Sequence, residues 1–238
     1  MTHLSYPNES GEYRNARAAL LTEEMALRRQ IEAVAAQRRA LPPGGKVPED
    51  YLFERVGENG MPEKVKMSEL FGRHRTLILY SFMFGPERKA PCPMCTHLLD
   101  SVNGGARHVG QRASLYIVAK SPIARLIAWA RGRGWAHLEF LSTAGNRYDA
   151  DYFGDSSKVP EAIRRQRDPK GGPNWDETMF NVFRLDNGTV RHFWGSELTW
   201  APEEPGQHHR SGDAVNSLWG MLDMTPEGRG QFMPQLAY

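Results

Sequence analysis

The sequence predicts an α/β protein in which helices flank a central mixed sheet that is mainly parallel. Between residues 76 and 141, apolar strand-like runs alternate with helical stretches in the order strand, helix, strand, helix, strand. This alternation is typical of right-handed βαβ crossovers, which place consecutive strands parallel. An Asn-Gly pair between two later alternating runs predicts an antiparallel hairpin. The chain of 238 residues is long enough for one domain with additions.

The first predicted element is a long helix, from about Glu12 to Ala40, that follows a polar tail. Prolines and glycines at 42–45 end this helix. We therefore expect residues 1–45 to form a helical extension and residues 46–238 to form a main domain. We expect the apolar stripe of the helix to pack on that domain or on a second copy of the chain in a homodimer. Its members recur every seven residues and are Leu20, Leu27, Val34 and Leu41.

A polar, partly strand-like segment over 51–72 leads into the strand predicted at Thr76–Phe84, and Gly85-Pro86 breaks that strand. The only two cysteines of the chain follow, in the sequence Cys92-Pro93-Met94-Cys95. Pro93 suits the first position of a helix, because its missing N–H would have no partner there. The helix is predicted to end at the Asn-Gly-Gly sequence of 103–105.

The spacing of the two cysteines favours reversible disulfide chemistry. Cys92 falls near the helix N-cap, where free backbone N–H groups and the helix dipole stabilise a thiolate. We therefore predict that Cys92 is the attacking thiol and that Cys95, one turn deeper, is the resolving thiol. The cationic side chains of Arg88 and Lys89 would lower the pKa of Cys92 further.

Three other interpretations of the cysteine pair stay open. In the first, the pair is half of a zinc site, although four ligands are normally needed and no second CxxC exists. In the second, the pair forms a structural disulfide, although closing so short a loop adds little stability. In the third, the two cysteines are unreactive thiols on a fold without activity. A separate metal site at His192, His208 and His209 is disfavoured, because adjacent histidines in a loop rich in proline and glycine are usually just exposed.

The next elements complete the alternating region. Ser114–Ala119 is a continuous apolar run of the kind found in buried parallel strands. Ser121-Pro122 predicts an N-cap followed by the first residue of a helix, which glycines at 132 and 134 close. Leu138–Leu141 is the third strand.

The second half begins with an insertion at 154–176, predicted as a surface loop or as a loop over the site. Its basic residues Arg164, Arg165 and Arg167 would attract an anionic substrate in the latter case. A hairpin follows, with strands at 179–185 and 189–194 around the Asp-Asn-Gly turn, and then a helix near 214–222.

Composition excludes several functional classes. The 30 basic and 28 acidic residues nearly balance, so we expect no nucleic-acid partner. No apolar run is long enough to cross a bilayer, and the polar N-terminus lacks the apolar core of a signal peptide. We therefore predict a soluble cytoplasmic protein without a membrane partner, and two cysteines at CxxC spacing fit a reducing compartment. Phosphate-binding and dinucleotide-binding glycine motifs are absent, as are HExxH and GxSxG.

Several long motifs, spread over nearly the whole chain, carry a resemblance to a known family. They are Arg38–Pro42, Leu79–Pro86, Cys92–Cys95, Gly134-Trp135, Ser142–Asn146, Arg191–Glu197 and Leu222–Gly230. The order of elements, with a CxxC at the first strand-to-helix junction, resembles the thioredoxin fold. More closely, the chain resembles the thioredoxin-like family called domain of unknown function 899, whose members are described as predicted dithiol-disulfide oxidoreductases.

The resemblance implies a fold, an activity and a site. It implies a thioredoxin-like fold and a thiol-disulfide oxidoreductase that acts with an external thiol reductant or disulfide substrate, without cofactor or metal. Catalysis would rest on Cys92 and Cys95, and the substrate would meet Phe84, Pro86, Pro93 and Thr178. One departure is clear: thioredoxins carry a cis-proline before the strand that faces the CxxC, whereas this place falls to Thr178 or Met179 here.

Two alternative functions remain. The chain also resembles peroxiredoxins in its first strand and helix, which implies a thiol peroxidase. Peroxiredoxins place a proline seven residues and a threonine three residues before their reactive cysteine, whereas Gly85 and Lys89 stand at those distances from Cys92. The other alternative is a non-enzymatic binding module whose partner surface is the N-terminal helix.

Overall fold

The computed structural model describes residues 4–167 and 175–237, and the chain divides into two compact units, residues 1–43 and 44–238. The first unit contains helix α1, Gly11–Arg39, within one residue of its predicted ends. The Ser10 hydroxyl caps it by accepting a hydrogen bond from the Tyr13 N–H at 3.1 Å. Nowhere in the described residues is a helix long and apolar enough to cross a membrane.

The second unit is built on one seven-stranded mixed sheet. Its spatial order is β2-β1-β5-β4-β3-β6-β7, where β3, β4 and β5 are mutually parallel and all other neighbours are antiparallel. The strands are β1 Leu52–Val56, β2 Pro62–Lys66, β3 Thr76–Ser81, β4 Ser114–Ala119, β5 Phe140–Ser142, β6 Met179–Asp186 and β7 Thr189–Gly195. This arrangement confirms the predicted mixed α/β class and the thioredoxin-like fold. The prediction that the sheet is mainly parallel is wrong, because four of its six described neighbouring strand pairs are antiparallel.

Helices cover both faces of the sheet. The remaining helices are α2 Pro93–Val109, α3 Ile123–Arg133, α4 Tyr148–Asp151, α5 Glu161–Arg167 and α6 Ser217–Asp223. Helices α2 and α3 pack on one face, against a core that includes Tyr80, Phe82 and Ile117. The opposite face is covered by Tyr148 of α4 and by residues of a short 3-10 helix, Met67–Glu69, and its flanks. Tyr80 therefore faces α2, whereas its strand neighbour Leu79 faces away from it.

Helix α2 is longer than predicted, because it continues through Gly104 and Gly105 to Val109. Each glycine in a helix interior costs about 1 kcal/mol relative to alanine. Burial offsets part of this cost, since Ala106, the residue after Gly105, is inside the core. The Gly110 N–H then donates to the Ala106 carbonyl at 2.9 Å and closes the helix.

The N-cap predicted at Ser121 is wrong. Pro122 is the N-cap of α3, and the Ser121 hydroxyl instead donates to the carbonyl of Phe84. Ser121 is fully buried, so its hydroxyl serves a long-range contact in place of a local one. The predicted end of α3 is confirmed, since Gly134 adopts the left-handed conformation with φ of 72°.

The predicted hairpin is confirmed. Strands β6 and β7 meet at a turn in which Asn187 and Gly188 both have positive φ, 49° and 77°. Within the predicted insertion, α5 is a helix in which Arg165 pairs with Glu161, and residues 168–174 and the Arg167 side chain lie outside the described residues.

Candidate active site at the start of α2

Cys92 and Cys95 lie at the start of α2, after the loop that follows β3. Cys92 is the N-cap of the helix with extended backbone, and Pro93 is its first residue, as predicted. The Cys92 N–H donates to the Met83 carbonyl at 3.0 Å, which ties the helix start to the end of β3. Both cysteines are free thiols; Cys92 is half-buried, whereas Cys95 is only 3% exposed.

The environment separates the two thiols by acidity. The Cys95 thiol donates a hydrogen bond to Cys92 and, with the backbone N–H groups of Cys95 and Met94, lowers the pKa of Cys92 to about 6, although burial opposes this. The hydrogen bond to Cys92 and complete burial raise the pKa of Cys95 well above its usual range. Near neutral pH the pair is therefore a thiolate at Cys92 beside a protonated Cys95.

A buried tyrosine lies behind the pair. Tyr80 of β3 is 2% exposed, and its hydroxyl is hydrogen-bonded to the Cys95 sulfur. Thr178, just before β6, donates its hydroxyl hydrogen to the Tyr80 oxygen at 2.9 Å. A continuous set of hydrogen bonds therefore runs from Thr178 through Tyr80 and Cys95 to Cys92.

The loop before the cysteines is fixed from two sides. On one side, the Arg125 guanidinium of α3 donates to the Gly85 carbonyl at 3.1 Å and lies 4.1 Å above the Phe84 ring. On the other side, Asp176 accepts from the Gly85 N–H at 2.5 Å and from Arg88 Nε at 3.1 Å. A Cβ at position 85 would lie 2.6 Å from the Asp176 carboxylate oxygens, so this close approach requires glycine.

Arg88, which lies in this loop, has a modest electrostatic effect on the Cys92 thiolate. Its positive charge lowers the pKa of Cys92, but less than the hydrogen bonds do. Its ion pair with Asp176 is largely buried and offsets part of the charge that the thiolate experiences. Arg88 also lies over the ring of Trp175, 4.9 Å from its centre.

A cleft of about 630 Å³ adjoins this end of the sheet. Met83, whose carbonyl accepts from Cys92, lines it, as do Trp175, Glu177 and Trp200. A cleft of this size can hold an extended segment or a small molecule.

The sequence of residues 3–237 matches the family described as "Bacterial protein of unknown function (DUF899)". The chain belongs to this family. The predicted family is thus confirmed, and no curated protein matches the sequence.

Among solved structures, the chain is similar to two peroxiredoxins and a thioredoxin. Peroxiredoxin Q from Xanthomonas campestris is 14% identical with a TM-score of 0.44, over 73% of this chain and 95% of that one. Peroxidoxin BcpB from Mycobacterium tuberculosis is 15% identical with a TM-score of 0.43, over 74% and 95%. The exposed lipoprotein thioredoxin Etrx1 from Streptococcus pneumoniae is 13% identical with a TM-score of 0.38, over 71% and 99%.

The residues predicted to bind substrate occupy different depths. Pro86 and Pro93 are exposed, and Thr178 is half-buried. Phe84 is almost completely buried in the core, between Phe82 and Trp129. Pro93 thus lies directly after Cys92 at the helix start, Thr178 is linked to Cys95 only through Tyr80, and Phe84 lies in the core.

His192 and His209, two of the candidate metal ligands, have different surroundings. His192 of β7 makes a 3.0 Å contact with the Asn181 side chain and stacks on Tyr152, whereas His209 lines the cleft. No group of three or more metal-binding side chains occurs in the part of the chain that the structure describes.

Sequence reasoning missed Tyr80, Arg125 and Asp176. A signal for Tyr80 was present, because a tyrosine in a continuous apolar strand must find a partner for its hydroxyl. Arg125 and Asp176 act on residues that lie far from them in sequence, so no local pattern indicates them.

Proposed function

We propose that this chain is a thiol-disulfide oxidoreductase in which the Cys92 thiolate attacks a disulfide and Cys95 resolves the product. The observation that supports this most is the pairing of a half-buried Cys92, whose pKa is lowered to about 6, with a buried, protonated Cys95. Reactivity in thiol exchange depends on the thiolate fraction, and the best attacking thiol has a pKa near the ambient pH. The reaction needs no cofactor beyond an external thiol reductant.

The proposed reaction has two steps. Cys92 Sγ attacks one sulfur of a substrate disulfide, forms a mixed disulfide and expels the other sulfur as a thiolate. Cys95 Sγ then attacks Cys92 Sγ, and the second substrate sulfur leaves. The substrate disulfide gains two electrons, and Cys92 and Cys95 lose two as their disulfide forms.

We assign substrate contact to the surface around Cys92. Pro86 and Pro93 are exposed, and Thr178 is hydrogen-bonded to Tyr80. Met83, whose carbonyl accepts from the Cys92 N–H, also lines the cleft at Trp175 and Trp200. Phe84 supports this surface from beneath through its contact with Arg125.

Trapping the first step tests the proposal. In Cys95→Ser, glutathione disulfide should leave a stable mixed disulfide on Cys92, detected as a mass increase, whereas Cys92→Ser should form none at Cys95. If Cys95→Ser forms no adduct, the oxidoreductase proposal is wrong.

Reaction of the same proteins with hydrogen peroxide distinguishes an oxidoreductase from a thiol peroxidase. Gly85 and the exposed Lys89 stand where peroxiredoxins have proline and threonine, so we expect hydrogen peroxide to oxidise Cys92 no faster than an ordinary thiolate. Rapid oxidation by peroxide with slow attack on disulfides would assign the site to peroxide reduction. A partner interaction that survives replacement of both cysteines, without any redox activity, would support a binding module.

We also propose a cytoplasmic homodimer that forms through α1. Leu20 and Leu27 of its apolar stripe and the neighbouring Ile31 are exposed. Sedimentation over a range of concentrations should show a dimer that Leu27→Glu weakens, since a charge in an apolar helix interface is unfavourable.

A further inference from the structure

The sulfur of the resolving thiol interacts with two hydrogen-bond donors. The Tyr80 hydroxyl, whose side chain lies in the same buried cluster as Cys95, is one donor, and the backbone N–H of Met83 is the other. Met83 can supply its N–H because it is the centre of a tight turn at the end of β3, in which the Phe84 N–H donates to the Phe82 carbonyl at 2.6 Å. A buried neutral thiol does not need two donors, because S–H is itself a weak donor and sulfur a weak acceptor.

Thr178 determines the direction in which Tyr80 donates. A tyrosine hydroxyl has a single hydrogen, and the Tyr80 oxygen already accepts the hydroxyl hydrogen of Thr178. The Tyr80 hydrogen is therefore left to point at Cys95. Packing against Phe180, with ring centres 4.5 Å apart, holds the ring in place.

We propose that Tyr80 is a catalytic residue of the resolving step, in which its hydroxyl and the Met83 N–H stabilise the Cys95 thiolate while Thr178 positions Tyr80. This inference rests on the oxidoreductase function proposed above. It concerns the moment at which Cys92 is bound in a mixed disulfide and no longer a thiolate that accepts from Cys95. Cys95 must then lose its proton inside the core, where an unassisted thiolate is unfavourable.

The resolving step requires no proton transfer to Tyr80. Burial and the contact with Cys95 raise the pKa of Tyr80 well above its usual range, so Tyr80 keeps its proton and acts only as a donor. The Cys95 proton passes to solvent or to the departing substrate thiolate. A bond forms between the sulfurs of Cys95 and Cys92, and the bond from Cys92 to the substrate sulfur breaks.

Loss of the Tyr80 hydroxyl has two opposing effects on the rate of the resolving step. A hydrogen bond to a charged group is worth about 1.5–3 kcal/mol, so its loss should raise the pKa of Cys95 in the mixed disulfide by about one to two units. The thiolate fraction then falls by about ten- to a hundredfold, but a more basic thiolate is also a better nucleophile, which leaves a net slowing of about three- to tenfold.

The test separates the two steps with dithionitrobenzoate as the disulfide. Attack by Cys92 releases one thionitrobenzoate, and resolution by Cys95 releases the second, so stopped-flow absorbance gives both rates. In Tyr80→Phe, which keeps the ring, the first release should stay within about twofold of wild type. The second should slow by about three- to tenfold, and its pH midpoint should rise by about one to two units.

Matched variants exclude a general effect of the substitution. Thr178→Val should shift the second release in the same direction but less, and Thr178→Ser should restore it. Tyr116→Phe removes a tyrosine hydroxyl on the opposite face of the sheet and should change neither release. If Tyr80→Phe does not fold, Thr178→Val and Thr178→Ser provide the test.

The outcomes distinguish the two proposals. If wild type releases only one equivalent, Cys95 does not resolve, and both proposals are overturned. If wild type releases two equivalents, and Tyr80→Phe resolves with the same rate and pH midpoint, the function stands and the role of Tyr80 is wrong. Equal slowing in Tyr116→Phe would also overturn that role.

Discussion

Replacing Cys95 by alanine should raise the pKa of Cys92, because the hydrogen bond from the Cys95 thiol is the largest of the effects that lower it. Such a bond to a thiolate is worth about 1.5–3 kcal/mol, which corresponds to about one to two pKa units. From about 6 in wild type, the Cys92 midpoint should therefore move to roughly 7–8. It should not reach the value of a free cysteine, because the backbone N–H groups of the helix start remain in place.

The pH dependence of alkylation measures this shift. Cys92 is the only thiol left in Cys95→Ala, so its rate with iodoacetamide reports its thiolate fraction directly. Cys95→Ser is the matched control, because the serine hydroxyl still donates to Cys92 and should hold its pKa closer to the wild-type value. If Cys95→Ala and wild type share the same midpoint, the hydrogen bond between the thiols does not set the acidity of Cys92.

Three further predictions concern electrostatics and backbone conformation. Arg88→Ala should raise the pKa of Cys92 by less than about one unit, because its carboxylate partner already offsets the charge; a larger shift in the same alkylation assay would contradict this. Burial raises the pKa of Asp149 to about 7, so the native state retains a proton that the unfolded state releases. Wild-type stability should therefore fall as pH rises between about 4 and 7, whereas Asp149→Asn should lack this loss in urea unfolding, and parallel profiles would refute the assignment. Gly188→Ala should cost about 1 kcal/mol because of its positive φ, and Gly212→Ala, with open space around it, should cost clearly less; equal losses would argue against strain at the turn.

The elements that sequence reasoning predicted well carry strong local signals. Pro93 can begin a helix but not continue one, so it placed Cys92 at the N-cap. Asn187 and Gly188 both tolerate positive φ, which selected the hairpin turn. Apolar runs gave β3 and β4, and their alternation with helices gave the parallel order.

The features that were missed depend on contacts between distant residues. Two adjacent glycines predict a helix end, yet burial of the next turn carries α2 beyond them. Serine is a preferred N-cap residue, but the Ser121 hydroxyl donates to the Phe84 carbonyl in the loop after β3. The partnership of Tyr80 with Thr178 spans 98 positions and exists only because β3 and β6 are adjacent in the sheet.

A redox titration of the purified protein tests the central claim, that Cys92 and Cys95 form a working dithiol-disulfide couple. The protein is equilibrated at defined dithiol/disulfide ratios, free thiols are trapped with a maleimide, and the products are weighed. We predict a reversible two-electron transition between roughly −120 and −270 mV. Above about pH 6, where Cys92 is already ionised, the potential should change by roughly 30 mV per pH unit, about half the slope below that pH. A pair that stays reduced across this range, or a disulfide that only the strongest reductants open, would contradict the account.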